Sequence, residues 1–401
     1  MAGPRNRRSL APLLGVTLGG LLALCPILAL GNESGSSLEV KQEVFYDRNQ
    51  VWNFTPAFGL KLALSRVWTL LWEQELDLVS GASRRLGSGN VGPLGNPDGV
   101  SGASKVEFRH SENPGLSYSH KGLVASASVY SSRENDYFSL SPAGSLSMDF
   151  FERNTTLGVS YAEFFDDYRP TGFFAGQGGK KRIQSTGVTL AQSITSLTLV
   201  GLTGSLVTSS GYLGHPYNPP LDSNGSMMVE ILPDKKQAGA LSFQVVQGYL
   251  AGERLGSINV EARRYQDSWG IKSNTCDLKL SQYISEGTYI RIRGRYYQQT
   301  GALFAKDKYT GRETFKTADV RFFPFSSWLG GLKLSAPFWE AWDKSAMLPD
   351  RWDVKFDYQW RDTHGDAVGQ DTGPRGYRYQ FYGEDEFYQQ VVIMFGLVFN
   401  L

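Results

Sequence analysis

The chain has 401 residues and a net charge of +1, so it is long enough for two or three ordinary domains and too evenly charged to hold nucleic acid through a bulk field. Its 23 Phe, 20 Tyr, 9 Trp and 45 Gly, with little sustained helical pattern, favour strands and turns. Of the two cysteines, Cys25 and Cys276, the first lies in a segment expected to be removed, which excludes an internal disulfide in the mature chain.

The sequence begins MAGPRNRRSLAPLLGVTLGGLLALCPILALG. Arg5, Arg7 and Arg8 give a positive start, Leu10 to Leu24 an apolar run, and Ala29-Leu30-Gly31 small residues where a signal peptidase reads. We expect a signal peptide over 1–31 and a mature chain over 32–401. An uncleaved anchor is the other reading of the apolar run. Arg7-Arg8 lacks the rest of a twin-arginine signal, and Leu24 stands where a lipoprotein box before Cys25 needs a small residue. Beyond residue 31 there is no run of 18 uncharged apolar residues.

Along the mature chain the dominant period is two. Strands are expected at VWTLLWEQELDL (67–78), SLSMDFF (145–151), TTLGVSYAEFF (155–165) and SLTLVGLTGSLV (196–207). In NTCDLKLSQYI, Cys276, Leu278, Leu280 and Ile284 alternate with Asp277, Lys279 and Ser281. In TYIRIRGRYYQ, Ile290, Ile292, Gly294 and Tyr296 alternate with Arg291, Arg293 and Arg295. In RWDVKFDYQWR, Trp352, Val354, Phe356, Tyr358 and Trp360 alternate with Asp353, Lys355, Asp357, Gln359 and Arg361. The last stretch, YQQVVIMFGLVFNL, carries Val391, Ile393, Phe395, Leu397, Phe399 and Leu401 on one face. Each such segment has one greasy and one wet face.

Connections alternate in length. Short turns are expected at Ser65-Arg66, Lys121-Gly122, Glu152-Arg153-Asn154, Ser193-Ile194-Thr195, Glu253-Arg254-Leu255 and Ser285-Glu286-Gly287. Long polar loops are expected near 80–105, 168–181, 210–239, 300–315 and 362–387. That rhythm is the one of a transmembrane, antiparallel, up-and-down β-barrel. About 16 strands are expected, within 14–18. The uncertainty lies in FFPFSSWLGG (322–331), either a strand broken at Pro324 or a turn, and in APFWEAWDKSAMLPD (336–350), a turn with room for a short helix.

Alternation alone is shared with a soluble β-sandwich, whose faces are inverted relative to bulk water. In the barrel the charged face lines a watery lumen, so Arg291, Arg293 and Arg295, Glu261, Asp277 and Lys279, and Asp353, Lys355 and Asp357 are lumen-lining candidates. Glu261, Asp277 and Asp357 are the carboxylates expected to answer the arginines. Trp352, Val354, Phe356, Trp360, Phe399 and Leu401 are expected to face lipid or join an aromatic girdle. A closed barrel pairs its last strand with its first, leaving no edge in lipid.

The stretches RNTTLGVSYAEFFDDY (153–168), SLTLVGLTGSLVTSSGYLGHPYNP (196–219), EARRYQDSWGIKSNTCDLKLSQYI (261–284) and RIRGRYYQQTGALF (291–304) resemble blocks of an uncharacterised bacterial family of exported β-barrel proteins, and LDLVSGAS (76–83) resembles its third strand. The resemblance covers about 40–335 and the terminal strand. It implies an outer-membrane barrel, is silent about activity, and offers no established catalytic residues to carry over. Barrels of this kind usually end in Phe or Trp, whereas this one ends in Leu401; the rest of the terminal pattern is present, so the departure weakens the inference of recognition by the barrel assembly machinery without removing it.

Other motifs read blandly. Gly87-Ser88-Gly89-Asn90-Val91-Gly92 matches a dinucleotide pattern but is followed by more Gly, Pro and Asn, so it is an external loop. Asp166-Asp167 and Glu384-Asp385-Glu386 are acidic pairs in expected loops, without the spacing of a calcium site. His110, His120, His215 and His364 have no metal-ligand spacing, and neither Ser117 nor Ser119 is singled out as a partner of His120. Cys276 sits on the apolar face, and Asn154-Thr155-Thr156 and Asn224-Gly225-Ser226 are chance glycosylation matches. We expect no cofactor, metal or enzymatic activity. The function expected is passive solute passage. A non-conducting barrel docking a periplasmic or envelope partner, and a secreted sandwich, are the alternatives.

Overall fold

Strands that are greasy on one side and charged on the other must hide one face, and here they do so by closing into a ring. The computed structural model describes residues 35–47, 52–79, 107–171, 175–215, 220, 222–223, 228–306, 309–338, 349–362 and 387–400. The expected signal peptide, Leu401, Gly87–Gly92, Glu384–Glu386, His364, Asn224–Ser226 and the loops near 80–105 and 362–387 lie outside them. In chain order the strands are β1 (Ser37–Asp47), β2 (Trp52–Ala63), β3 (Trp68–Val79), β4 (Glu107–His120), β5 (Leu123–Arg133), β6 (Tyr137–Phe150), β7 (Thr155–Tyr168) and β8 (Gly179–Thr195). The second half continues with β9 (Thr198–Gly211), β10 (Lys235–Ala251), β11 (Arg254–Asp267), β12 (Lys272–Ser285), β13 (Thr288–Gln299), β14 (Phe325–Pro337), β15 (Arg351–Asp362) and β16 (Phe387–Asn400). Each pairs antiparallel with its sequence neighbours, and β1 pairs with β16 from Ser37↔Asn400 to Asp47↔Gln390. The soluble sandwich does not form: there is one closed sheet, not two stacked ones.

Pleat and register fix the faces. Outward lie Ile292 at 56 % exposure, Leu241 at 54 % and Phe356 at 44 %. Aromatic rings band this surface near both strand ends. Tyr296, Trp328 and Trp360 sit side by side, with centroids 4.5 and 6.0 Å apart, and at the opposite end Trp68 meets Tyr118 at 5.0 Å. Where β1, β2 and β16 meet, Leu38, Leu60 and Phe399 form a buried outward cluster covered by Trp72 and Leu397. Phe399 is thus on the expected face but shielded.

Two expected turns shift. The β8–β9 turn is Ser196-Leu197, not Ser193-Ile194-Thr195, because a bulge between Ser193 and Thr195 carries β8 three residues further. There the Thr195 hydroxyl donates to Thr198 Oγ1 at 2.8 Å. The β10–β11 turn is Gly252-Glu253, one residue before the expected start, and Gly252 supplies its φ of +65° without a Cβ penalty. The FFPFSSWLGG ambiguity resolves as a loop ending at Pro324, with a 3-10 turn over Val320–Phe322 and β14 beginning at Phe325.

Candidate functional site

The expected lumen residues all project inward from β11, β12, β13 and β15, and several are brought together. Asp277 is buried and accepts from Arg293 Nε at 2.9 Å, with Lys279 Nζ 3.6 Å away. Lys355 reaches Asp357 at 2.7 Å, and Lys333 reaches Asp353 at 3.0 Å. Arg291 donates to Ser281 at 3.1 Å and lies over Tyr289. Among the described residues Glu261 and Arg295 make no ion pair. Trp352, Val354, Phe356 and Trp360 alternate with these on the outward side of β15.

At the long-loop end the lumen is shaped by two connections, 212–234 and 300–324, which sequence periodicity left blank. They are tied together. Ile231 and Lys316 exchange backbone hydrogen bonds of 3.0 and 2.8 Å. Tyr309 is 1 % exposed, and its hydroxyl accepts from the Thr317 amide at 2.9 Å and lies 3.1 Å from the Phe304 carbonyl. Glu230 accepts from the Thr317 hydroxyl and from the His215 amide. A cluster of Trp269, Ile271, Ala302, Ala305 and Phe322 fastens the second loop to the β11–β12 connection. Gln299, inward at the end of β13, donates to the carbonyls of Arg321 and Phe323, both at 2.8 Å. The two loops therefore fold as one cap resting on the wall.

Under the cap is a cavity of about 660 Å3. Its rings include Tyr168, Tyr212, His215, Trp269 and Phe322, and its charges include Lys181, Lys236, Arg263 and Arg321. Asp166 lines it and pairs with Lys181 at 3.0 Å, which corrects the expectation of an acidic loop pair. β7 runs on to Tyr168, so Asp166 turns inward while Asp167 turns outward to Arg169. Alternation separates the two carboxylates and leaves them no shared cation. Among the described residues no group of three His, Cys, Asp or Glu could hold a metal ion. Cys276 is exposed on the outward face. Ser117 faces Ser126 inside the wall at 3.0 Å, while His120 alternates to the other side. Tyr212, Trp269 and Arg321 escaped the sequence reading. The signal available was the length of the 210–239 loop and the density of aromatics in ADVRFFPF.

Burial raises the Glu230 carboxyl to about 7, partly opposed by hydrogen bonds from Thr317 and the His215 amide; nearby Asp319 raises it and Arg321 lowers it. Burial also lowers His215, helped by the nearby Arg321 charge. The folded cap therefore holds the Glu230 proton more tightly than an opened cap would. Its contribution is complete below about pH 4.5 and is lost as pH rises through about 7, a difference on the order of 3 kcal/mol. Hydrogen-exchange protection at 228–234 and 309–319, taken against the intrinsic rate at each pH, is expected to fall between pH 5 and 8, and Glu230→Gln is expected to flatten that dependence.

Comparison with known proteins adds the following. A family model described as protein of unknown function (DUF3570) matches residues 165–376. No curated protein sequence matches the chain. Among solved structures, a bacterial polysaccharide outer membrane secretin is similar at 8 % identity and TM-score 0.47, covering 91 % of this chain and 98 % of that one. OpdK of Pseudomonas aeruginosa, solved with vanillate, is similar at 8 % identity and TM-score 0.40, with the same coverage. The siderophore receptor PirA of Acinetobacter baumannii is similar at 9 % identity and TM-score 0.42, covering 82 % of this chain and 53 % of that one.

Proposed function

We propose, from the premise that this chain belongs to the DUF3570 family of proteins of unknown function, that it is a porin-like channel of the outer membrane through which small polar solutes pass passively. The observation that carries this reading is the division of faces. Large apolar side chains such as Ile292, Leu241 and Phe356 stand exposed around the outside, while Glu261, Asp277, Lys279, Arg291, Arg293, Arg295, Lys333, Asp353, Lys355 and Asp357 point into the ring. Only lipid rewards such an exterior, and only water rewards such an interior. Sixteen strands are enough to leave an aqueous path.

In this reading Trp352, Val354, Phe356 and Trp360 meet lipid, with Phe399 in the sealed seam beside them. Arg291, Arg293, Arg295, Glu261, Asp277, Lys279, Asp353, Lys355 and Asp357 line the water path. The long loops face outside and the short turns face the periplasm. Residues 1–31 serve export, and the barrel assembly machinery inserts the chain. No step of bond chemistry is assigned to it.

A second reading, a non-conducting barrel that docks an envelope partner, is favoured by the cap, whose interlocked loops narrow one end. Planar-bilayer recording separates the two. Purified barrel that shifts its gel migration on boiling is expected to give discrete current steps. The same folded material giving no current at any voltage rejects the channel.

A further inference from the structure

The charges around the capped cavity are arranged unevenly. In three ion pairs of its wall the carboxylate is sunk and the cation is presented. The side chains of Asp166, Asp267 and Asp319 keep 3 %, 0 % and 3 % of their exposure, whereas Lys181, Lys236 and Arg321 keep 27 %, 22 % and 66 %. Arg321 lines the space beneath the cap. Arg263 joins them, and among the described residues no carboxylate lies within ion-pair distance of it. Its guanidinium rests 5.7 Å from the Tyr265 ring centre. Asp136, a further carboxylate of the lining, is buried. Glu134 is the partly exposed acid, and burial raises its pKa, opposed by Arg109, towards the neutral form. A solute entering the cavity therefore meets positive groups with their countercharges behind them.

Flat rings complete the lining. Tyr168 lies 6.1 Å from Tyr212 and 6.0 Å from His215, whereas Trp269 and Phe322 are buried in the cluster that fastens the cap. The half-exposed Tyr168, Tyr212 and His215 rings are surfaces on which a planar ring stacks. The volume falls within the range of small-molecule sites.

We propose that this cavity binds small organic anions that carry an aromatic ring, with the carboxylate taken by Arg263 and the ring held among Tyr168, Tyr212 and His215. Arg263 is the central cation because it gives up no partner on binding, whereas Arg321 must share its fork with Asp319. This names a solute class for the channel reading and rests on it for its biological sense; the binding step does not require conduction.

The test is calorimetry on the full mature barrel in detergent, with benzoate as probe and benzyl alcohol and acetate as controls. Benzoate is expected to bind at least about tenfold more tightly than either control, because neither offers both ring and charge. Arg263→Gln is expected to lower benzoate affinity by about tenfold, and Arg263→Lys to restore most of it. Heat-modifiable migration confirms that each variant is folded. Equal binding of benzoate and benzyl alcohol, or an Arg263→Gln variant with undiminished affinity, overturns the proposal. The same preparations are recorded in bilayers. Benzoate binding without current removes the channel and leaves the site, and current without benzoate binding removes the site and leaves the channel.

Discussion

Tyr309→Ala is expected to release the cap while leaving the barrel intact. Tyr309 is 1 % exposed, and its hydroxyl bonds both to the Thr317 backbone and to the Lys306 amide. Truncation empties a ring-sized volume and orphans those backbone groups, which costs about 3–5 kcal/mol at comparably buried aromatic sites. That cost is confined to the two loops joined by the Asp222–Tyr309 and Ile231–Lys316 bridges, because the ladders of the barrel do not include Tyr309. Hydrogen exchange over 309–319 and 228–234 is expected to accelerate by two or more orders of magnitude, and the bilayer current to rise and grow noisier. Boiling is expected to shift gel migration as in the parent protein. Exchange at parental rates in the variant would show that the two loops do not act as one body.

Phe356→Arg tests the orientation of the whole wall. Phe356 lies outward near the middle of β15, halfway between Trp352 and Trp360. Those two Trp are eight residues apart, roughly 26 Å along the strand at about 3.3 Å per residue. An arginine there sits close to the bilayer midplane and is expected to cost about 2–4 kcal/mol in urea unfolding from lipid vesicles. Ala143→Arg points inward from β6, where water takes up the charge, and is expected to change stability by less than about 0.5 kcal/mol. A result in the opposite order would mean that the apolar face does not meet lipid.

The strand pattern was legible because a β-barrel writes its faces into the sequence at period two. RWDVKFDYQWR and TYIRIRGRYYQ declare both faces without help from the rest of the chain. Turn positions were less legible. The β8 bulge at Ser193 and Thr195 breaks the period by local geometry, and Ser193-Ile194-Thr195 reads as a turn only if the period is taken as unbroken. Asp166-Asp167 was misplaced for a related reason: charge marks both loops and lumen faces, and Asp is as common in turns as on a wet strand face. The cavity was legible only as loop length. Its contacts join Glu230 to Thr317 and Trp269 to Phe304, far apart in sequence and without periodicity. Which member of each ion pair is buried depends on packing that no local pattern encodes.

The single ladder between β1 and β16 also governs how such a chain can reach its final state. Every other ladder joins sequence neighbours, so it can grow as a hairpin at small entropic cost. Bringing Leu38 opposite Phe399 must wait for almost the entire polypeptide. Until then the growing sheet exposes two unpaired rims, each able to recruit a second copy. Slow annealing of that one joint, rather than formation of the hairpins, sets the period of greatest aggregation risk. A catalyst that shelters the rims would shorten it without altering any contact of the finished ring.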